Sequence, residues 1–373
     1  MKGAKRGLYI VNFGCKITED EKKKNGVLKK IVGQIKIFND AGFRVDLLNV
    51  SENKDNYFSK FFYSLFYKNQ YLVNYYDSFE NIDFVYIRHF SPVSRGCIGL
   101  LSYLKSKGCD IIYEIPTYPY DGEHKGLKGF VFLIIDKIFR KKLKHYVDYI
   151  VTYSQDDVIF GVKTIKIVNG IDCSAIPPVD VTEYRQTAIR LIAVAQFAKW
   201  HGYDRLIEGL YEYYKHNPEK KVFIDFVGDG GVLQQYREMV STYGLAQYVV
   251  FHGVLTGAAL SAAFNQADIA VCSLGCHRIG IFLGSFLKSR EYIARGLLMI
   301  SSTKIDILPN DYSYIKYVPE DDSPIDISAI LKFYEKLQQK ETKDMQIKNI
   351  RRFAEEHCDM KVVMQPVISF LTH

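Results

Sequence analysis

Residues 189–197 read IRLIAVAQF and residues 221–230 read KVFIDFVGDG. Each run is a short series of β-branched and aromatic residues, which is typical of a strand, and the second ends in glycine. The segment between them, YDRLIEGLYEYY (203–214), places apolar residues at helical spacing. Strand, helix and strand in this order predict a βαβ unit of a parallel sheet.

The same alternation continues on both sides of this unit. Later strand-like runs are YVVFHG (248–253), ADIAVCS (267–273) and LLMISS (297–302). Earlier ones are LYIVNFG (8–14), RVDLLNV (44–50), FVYIRHF (84–90), DIIYEIP (110–116), YIVTYS (149–154) and IKIVNG (165–170). Between the two series, CSAIPPVDVTEYRQ (173–186) contains adjacent prolines and is typical of a linker. We therefore predict an α/β protein with two doubly wound, Rossmann-like domains facing across a cleft, divided after residue 175.

Composition agrees with two globular domains and distributes charge unevenly. The chain has 373 residues, of which 48% are hydrophobic and 24% charged. Up to Ala175 there are 27 Lys and Arg against 19 Asp and Glu, and after it 22 against 23. Excess positive charge in the first half indicates an anionic partner, which can be a phospholipid surface, a diphosphate-bearing substrate or nucleic acid. Lysines spread over a solvated surface are the alternative. Because the basic residues form no recognised nucleic-acid motif, we predict no nucleic-acid partner.

Cysteine usage and hydropathy exclude several classes of protein. Seven cysteines form no CxxC pair, which argues against a disulfide-built secreted fold. Cys272, Cys276 and His277 lie close together but lack the four ligands of a structural zinc site, so we predict no metal site. No apolar run approaches the roughly 18 residues that cross a bilayer. We expect a cytoplasmic protein, either free or peripheral at the inner face of the cell membrane.

Two aromatic and basic stretches favour the membrane surface. The first, residues 57–79, contains 11 Phe or Tyr, and the second is FVFLIIDKIFRKKLKHY (130–146). An apolar face flanked by Lys or Arg is typical of a helix in the interface of a membrane. A helix packed on its own sheet is the alternative for both stretches.

Glycines and cations after the strands of the second half indicate a phosphate site. Gly228 and Gly230 follow KVFIDFV, and glycine lets the backbone approach a phosphate closely. The loop GCHRIG (275–280) carries His277 and Arg278, and GSFLKSREYIARG (284–296) then begins a helix. The amides and cations of this loop and helix start would bind a diphosphate. The carboxylate of Glu291 would bind a hydroxylated group.

These motifs make the chain resemble the family 4 glycosyltransferases, which are retaining, metal-independent enzymes of the GT-B fold found in bacterial polysaccharide biosynthesis. The resemblance is carried by VNGID (168–172), AVAQFAKWHGYDRLIEGL (193–210), FVGDGG (226–231), VVFHGVLT (249–256) and LKSREYIARG (287–296), the last in the place of the Glu-x7-Glu motif. The first half agrees through GLYIVNFG (7–14), NGVLKKIVGQIKIF (25–38) and IYEIPTYPYD (112–121). It implies an acceptor-binding domain over 1–175, a nucleotide-sugar domain over 176–350 and helices over 351–373 that cross back to the first domain.

The resemblance also implies roles for individual residues. Glu291 matches the motif glutamate that holds the ribose, and Lys199, supplemented by Lys288 and Arg278, would neutralise the leaving diphosphate. The predicted catalytic residues are His89, Lys199 and Arg278. The predicted donor-binding residues are Gly14, Gly228, Gly230, Lys199, His277, Gly284, Ser285, Leu287, Lys288 and Glu291. The predicted acceptor-binding residues are Glu114, Tyr118 and Asp121. We expect no cofactor beyond the nucleotide-sugar donor, with UDP mildly preferred.

The sequence departs from the family pattern at two places. Leu283 stands where the first motif glutamate belongs, and Gln196 and His201 stand where the family usually has Arg and Lys. Leucine neither accepts a hydrogen bond nor balances charge, so a non-catalytic accessory subunit is the alternative to an active transferase. Another GT-B enzyme, such as a nucleotide-sugar epimerase, agrees less well with LKSREYIARG.

Overall fold

The computed structural model describes residues 4–13, 17–18, 26–50, 67–68, 71, 75–123, 126–180 and 188–372. The chain divides into two compact units, Met1–Val168 together with Val363–His373, and Asn169–Val362. The division after residue 175 and the return from residue 351 stay predictions of the sequence. Predicted Gly14 and most of the aromatic stretch 57–79 lie outside the described residues.

A parallel sheet forms the centre of the first unit. Its strands are β1 (Arg6–Val11), β2 (Arg44–Asn49), β3 (Phe84–Arg88), β4 (Asp110–Ile115), β5 (Tyr149–Thr152), β6 (Val158–Ile159) and β7 (Val162–Lys166). Their order is β2-β1-β3-β4-β5-β7-β6, and only the β6–β7 pair of this described sheet is antiparallel. Its helices are α1 (Gly26–Asp40), α2 (Arg95–Ser106) and α3 (Gly126–Phe139).

The second unit repeats this architecture. Its strands are β8 (Ala188–Val194), β9 (Lys221–Val227), β10 (Val249–Gly253), β11 (Ile269–Val271), β12 (Leu283–Gly284), β13 (Leu298–Ser301), β14 (Lys304–Ile305) and β15 (Ile315–Tyr317). Its helices are α4 (Tyr203–Tyr214), α5 (Leu233–Thr242), α6 (Gly257–Asn265), α7 (Leu287–Ala294), α8 (Ile327–Lys340) and α9 (Lys343–His357), and the unit boundary falls within α10 (Met360–Thr372). Six strands form a parallel sheet in the order β10-β9-β8-β11-β13-β15, and β12 pairs with β14.

Six 3-10 turns complete the described chain. They are Tyr76–Phe79, Asp121–Glu123, Arg140–His145, Cys173–Ala175, Lys199–His201 and Cys276–Ile279. The six described cysteines are buried thiols without disulfide partners. Within the described ranges, no helix is both long and apolar enough to traverse a lipid bilayer.

The central strands are buried on both faces because helices cover both sides of each sheet. In the second unit, Leu191, Ile192 and Ile224 have no exposed surface, and they belong to one continuous apolar core. The strand order reverses at β8, because β9 lies on one side of it and the later strand β11 on the other. In an open α/β sheet, such a reversal opens a crevice at the carboxyl ends of the strands, where ligands bind.

Gly209 allows α4 to approach the segment that precedes α8. A Cβ atom at this position would lie 2.0 Å from the carbonyl oxygen of Ile325. We expect Gly209→Ala to lower the free energy of unfolding by more than about 2 kcal/mol, because the backbone must move to relieve the overlap. Gly122, where an added Cβ meets nothing within 4 Å, is the matched control. Urea unfolding of both variants checks this, and equal stabilities would contradict the packing.

Candidate functional site

Two adjoining cavities, of about 520 and 610 Å³, lie at the carboxyl end of β8. The first is lined by Val194, Ala195, Gln196, Val227, Gly228, Asp229, Gly230, Val254 and Leu255. The second is lined by Asn169, Val194, Ala195, Gln196, Phe197, Ala198, Trp200, His201, Gly231, Ser285, Phe286, Leu287 and Lys288. They share Val194, Ala195 and Gln196, so together they form a groove at the reversal of strand order. One part of it is rich in aliphatic side chains and the other contains a cation.

The turn after β9, which contains Gly228 and Gly230, forms one wall of this groove. Gly228 has φ +128° and Gly230 φ +155°, backbone conformations that L side chains rarely adopt. A Cβ atom on Gly228 would lie 1.9 Å from the carbonyl oxygen of Ala195, and one on Gly230 2.2 Å from that of Phe197. The amide of Phe197 donates to the carbonyl of Asp229 at 2.7 Å. These glycines therefore allow two backbone segments to pack together, and both also line the first cavity.

Lys288 supplies the cation of the second cavity. It lies in the first turn of α7, and its ammonium donates to the hydroxyl of Tyr203 at 3.3 Å. Its Nζ also lies 5.9 Å from the ring centroid of Trp200. Within the described part of the chain, no carboxylate forms an ion pair with it, and burial lowers the pKa of Lys288 to about 8. A partly buried cation that lacks an acidic partner among the described residues is suited to an anionic ligand.

His201 faces the same cavity as a neutral imidazole. Its Nδ1 accepts a hydrogen bond from the amide of Ala198 at 3.0 Å, which places the ring proton on Nε2. Burial, together with the charge of Lys288, lowers the pKa of His201 to about 3. The ring therefore stays neutral at physiological pH and offers one N–H donor.

The start of α7 adds backbone donors. Ser285, Phe286, Leu287 and Lys288 line the cavity, and the first amides of a helix carry the positive end of its dipole. The side-chain Nδ2 atom of Asn169 donates to the carbonyl of Ser285 at 2.9 Å and to its hydroxyl at 3.2 Å. Predicted donor residues Ser285, Leu287 and Lys288 are thus brought together at one helix start.

Two other predicted donor residues flank this helix start. The carboxylate of Glu291 lies one turn further along α7 and accepts from the Nε and Nη2 atoms of Arg295 at 3.1 and 2.9 Å. Gly284 is buried in the short β12–β14 pair, and a Cβ there would lie 2.0 Å from the ring of Phe286. Neither residue lines the two described cavities.

Arg278 holds two loops together. Its Nη1 and Nη2 donate to the carboxylate of Asp204 at 2.9 and 2.7 Å, and its Nε donates to Asp322 at 2.7 Å. Nη1 also donates to the carbonyl of Lys199 at 2.9 Å. The Nε2 atom of His277 lies 3.1 Å from the same Asp322 carboxylate. This network supports the 3-10 turn that carries Trp200 and His201.

Lys199 lies at the edge of this arrangement. Its side chain is exposed, and it does not line either described cavity. The next two residues of the turn, Trp200 and His201, do line the second one, with ring centroids 3.8 Å apart. Of the predicted cations, Lys288 alone is among the lining residues of these two cavities.

Glu114 is the centre of a buried charge cluster in the first unit. It lies near the carboxyl end of β4 with no exposed surface. Its carboxylate accepts from Arg88 at 2.8 Å, Lys30 at 3.3 Å and the hydroxyl of Tyr153 at 2.9 Å. The hydroxyl of Tyr9 donates to it at 3.1 Å. The sequence predicts that Glu114 contacts the acceptor. Its burial argues against direct contact, because the carboxylate oxygens already accept from these protein donors.

The remaining predicted residues of the first unit occupy separate places. His89 follows β3, with its Nδ1 atom 3.3 Å from the hydroxyl of Tyr113. Tyr118 is half-buried, and its ring meets that of Phe160 edge-on at 5.7 Å between centroids. Asp121 accepts from Arg140 at 2.6 Å, and this arginine holds the pKa of Asp121 below its usual value.

Three residues that line the groove, Asn169, Trp200 and His201, are absent from the set of site residues that the sequence predicts. Asn169 stands within VNGID, and its bond to Ser285 joins distant parts of the chain. Trp200 is the single tryptophan of the chain, and a loop position does not distinguish packing from cavity lining. In the sequence, His201 is marked only by its departure from the family pattern. Its role as an N–H donor cannot be read from the sequence, because its tautomer depends on the backbone amide of Ala198.

Potential metal ligands are dispersed over the part of the chain that the structure describes. No group of three or more His, Cys, Asp or Glu residues suited to a metal ion occurs among the described residues. Cys272 and Cys276 are buried, and burial raises the pKa of the Cys272 thiol to about 12.

No protein-family model and no curated protein sequence matches the chain, whereas many solved structures do. HepE from Anabaena, solved with UDP and glucose, superposes with a TM-score of 0.60 at 12% identity over 98% of this chain and 99% of its own. Sucrose-phosphate synthase from Thermosynechococcus elongatus gives 0.62 at 12% identity over 99% of both chains. The lipopolysaccharide outer core galactosyltransferase WaaB gives 0.57 at 12% identity over 99% of this chain and 100% of its own.

The chain has the GT-B fold. This confirms the α/β architecture with two Rossmann-like parallel sheets that the sequence predicts. At such low identity the likeness concerns the fold, so the reaction has to be argued from the residues of the site.

The Glu114 cluster leads to a prediction about acid stability. Burial alone would raise the pKa of Glu114, but Lys30, Arg88 and the Tyr153 hydroxyl outweigh it and lower the pKa to about 2. A carboxyl with a lowered pKa contributes stability above its unfolded pKa and loses it as pH falls through the folded value. We expect wild type to lose about 3 kcal/mol from this group between pH 4.5 and 2.

Glu114→Gln should lower the free energy of unfolding at pH 7 by roughly 3 kcal/mol or more, because two cations lose their buried counter-charge. It should also make unfolding less dependent on pH below 4.5. Asp121→Asn, which removes a carboxylate at the surface, is the control and should cost under about 1 kcal/mol. Urea unfolding across pH measures both, and parallel pH profiles for wild type and Glu114→Gln would contradict the role of the cluster.

Proposed function

We propose that the chain is a glycosyltransferase that moves a sugar from a UDP-sugar to a polysaccharide or lipid-linked acceptor, with retention and without a metal. The observation that carries this proposal is the groove at the carboxyl end of β8. It joins an aliphatic cavity to a cavity containing Lys288, His201 and the start of α7. Support comes from its GT-B fold, since the neighbour HepE is solved with UDP and with UDP-glucose.

The two cavities suit the two parts of a nucleoside diphosphate. A flat base can pack between Val194, Val254 and Leu255, and the diphosphate would lie near Lys288. The Nε2–H of His201 and the first amides of α7 would donate to its oxygens. Glu291 lines neither cavity but lies one turn beyond Lys288 on α7, and we propose that its carboxylate binds the ribose while it also accepts from Arg295.

The same groups would favour bond cleavage. When the sugar leaves, negative charge develops on the diphosphate and positive charge on the sugar ring. Preorganised cations and amides stabilise the departing phosphate without reorganisation. The acceptor hydroxyl would attack from the face that the diphosphate leaves, and a phosphate oxygen would take its proton. We assign the main cationic role to Lys288 because it lines the cavity, whereas Lys199 is exposed and Arg278 is paired with Asp204.

UDP affinity tests this assignment. We expect Lys288→Met to weaken UDP binding by about tenfold or more, because the diphosphate loses a charge-assisted donor. Lys199→Met, the matched control, should change affinity by less than about threefold if its ammonium stays in solvent. Isothermal titration calorimetry measures both. A larger loss for Lys199→Met would return the main role to that residue, and no UDP binding by wild type would overturn the proposal.

The pH dependence of binding provides a second test. Only the charged form of Lys288 attracts the diphosphate, and its pKa of about 8 lies below the usual lysine value. UDP affinity should therefore decline as pH rises from 7 to 10, with the midpoint at or above 8 because the bound anion raises the pKa. Lys288→Met should lack this component, whereas titration of the uracil ring affects both proteins. Identical profiles would remove Lys288 from the site.

Leu283 favours a second candidate function, a glycosyltransferase-like accessory subunit without catalysis. Its side chain is 64% exposed at the start of β12, two residues before Ser285 of the groove. The accessory subunit would bind UDP but release no sugar from any UDP-sugar. Leu283→Glu distinguishes the two candidate functions. Restored hydrolysis of a UDP-sugar would indicate an inactive site that lacks only this carboxylate, whereas an altered sugar preference would indicate an active transferase. An unchanged activity profile would show that Leu283 decides neither.

A further inference from the structure

Helix α3 exposes an apolar stripe along its outer side. Leu127 is 83% exposed, Phe130 58%, Ile134 45% and Ile138 51%. Their spacing of three or four residues places them in one row along the helix, roughly 16 Å long. Ordinary surface leucines occur singly, whereas a continuous row of large apolar side chains marks an interaction surface.

The opposite side of α3 is packed against the first unit. Ile135 and Phe139 are buried in its core. Asp136 is fully buried, and its carboxylate accepts from the amide of Val93 at 2.8 Å and the hydroxyl of Tyr120 at 2.9 Å. These bonds determine the rotation of the helix about its axis. The apolar stripe is therefore held outward and cannot turn into the core.

Positive charge follows the stripe directly. The 3-10 turn Arg140–His145 contains the exposed lysines Lys141, Lys142 and Lys144. None of these three forms an ion pair with a described residue, whereas Arg140 is paired with Asp121 and Asp136. The turn therefore presents three lysines that no carboxylate of the described residues neutralises.

We propose that this surface, the α3 stripe with the lysines of the following turn, docks the protein on an anionic lipid membrane. Large apolar side chains next to lysines match the boundary between acyl chains and negatively charged headgroups. A symmetric dimer through the same surface would bring the lysines of both copies into one interface, which like charges oppose. The inference deepens the lipid-linked acceptor of the proposed function, but the docking itself does not depend on UDP binding.

Vesicle sedimentation with the full chain tests the docking surface. The probes are vesicles of phosphatidylcholine alone and of phosphatidylcholine with phosphatidylglycerol at about 2:1. Wild type should bind the anionic vesicles at least about tenfold more tightly than the neutral ones, and added salt should weaken the binding. Failure of wild type to bind anionic vesicles would overturn the proposal.

Paired variants separate the apolar and the charged contribution. Phe130→Ser with Ile134→Ser, and Lys141→Glu with Lys142→Glu, should each reduce binding to anionic vesicles by about tenfold or more. Val158→Ser with Val362→Ser removes apolar residues of similar exposure elsewhere, and Lys336→Glu with Lys340→Glu makes the same charge change on α8. Both controls should stay within about twofold of wild type. Equal effects of test and control variants would overturn the assignment of this surface.

UDP titration of the same proteins distinguishes this inference from the proposed function. Retained UDP binding in the α3 variants would show that their second unit is folded. An unchanged midpoint of thermal unfolding would show that their first unit is folded as well. Vesicle binding without UDP binding would overturn the transferase proposal alone, and the reverse would overturn membrane docking alone. Sedimentation velocity tests the remaining alternative. If wild type is a dimer that does not bind vesicles, and Phe130→Ser with Ile134→Ser dissociates it, the stripe binds a second copy of the chain instead.

Discussion

The close packing of two backbone segments at the carboxyl end of β8 determines the shape of the groove there. The chain after β8 lies directly on the turn after β9, with an amide-to-carbonyl bond of 2.7 Å from Phe197 to Asp229. Only glycine at positions 228 and 230 permits this approach, because a Cβ would overlap a carbonyl oxygen in both cases. Once these segments are in contact, the following turn carries Trp200 and His201 toward the start of α7. The glycines thus act first on backbone packing, and through it on any ligand.

Two lysines, the buried Lys30 and the partly buried Lys288, have very different surroundings. Lys30 and Lys288 both have their pKa lowered to about 8, mainly by burial. Lys30 has Glu114 as a counter-charge within the first unit, and this carboxylate is shared with Arg88. Lys288 has a tyrosine hydroxyl and aromatic rings as its described neighbours. The positive charge of Lys30 is thus balanced within the first unit, whereas Lys288 has no carboxylate partner among the described residues.

The two sides of helix α3 also have different surroundings, one buried in the first unit and one exposed. It is apolar around most of its circumference, which is typical of a helix that is covered on all sides. The buried Asp136 fixes which side faces the sheet, and the exposed row from Leu127 to Ile138 remains on the outside. A stretch that the sequence alone leaves between a sheet-covering helix and a membrane helix therefore has one side buried against the first unit and one apolar side exposed.

The sequence by itself determined the alternation of strands and helices, the two parallel sheets and the glycine turn, because hydrophobic periodicity and glycine positions are local signals. It also placed Ser285, Leu287 and Lys288 at one helix start. Only the tertiary structure decided that Glu114 is buried, that Arg278 is paired with Asp204, and that Lys288 rather than Lys199 faces the cavity. Those outcomes depend on which carboxylates and carbonyls approach from distant parts of the chain. A charged side chain looks the same in sequence whether its partner is a ligand, a neighbouring loop or water.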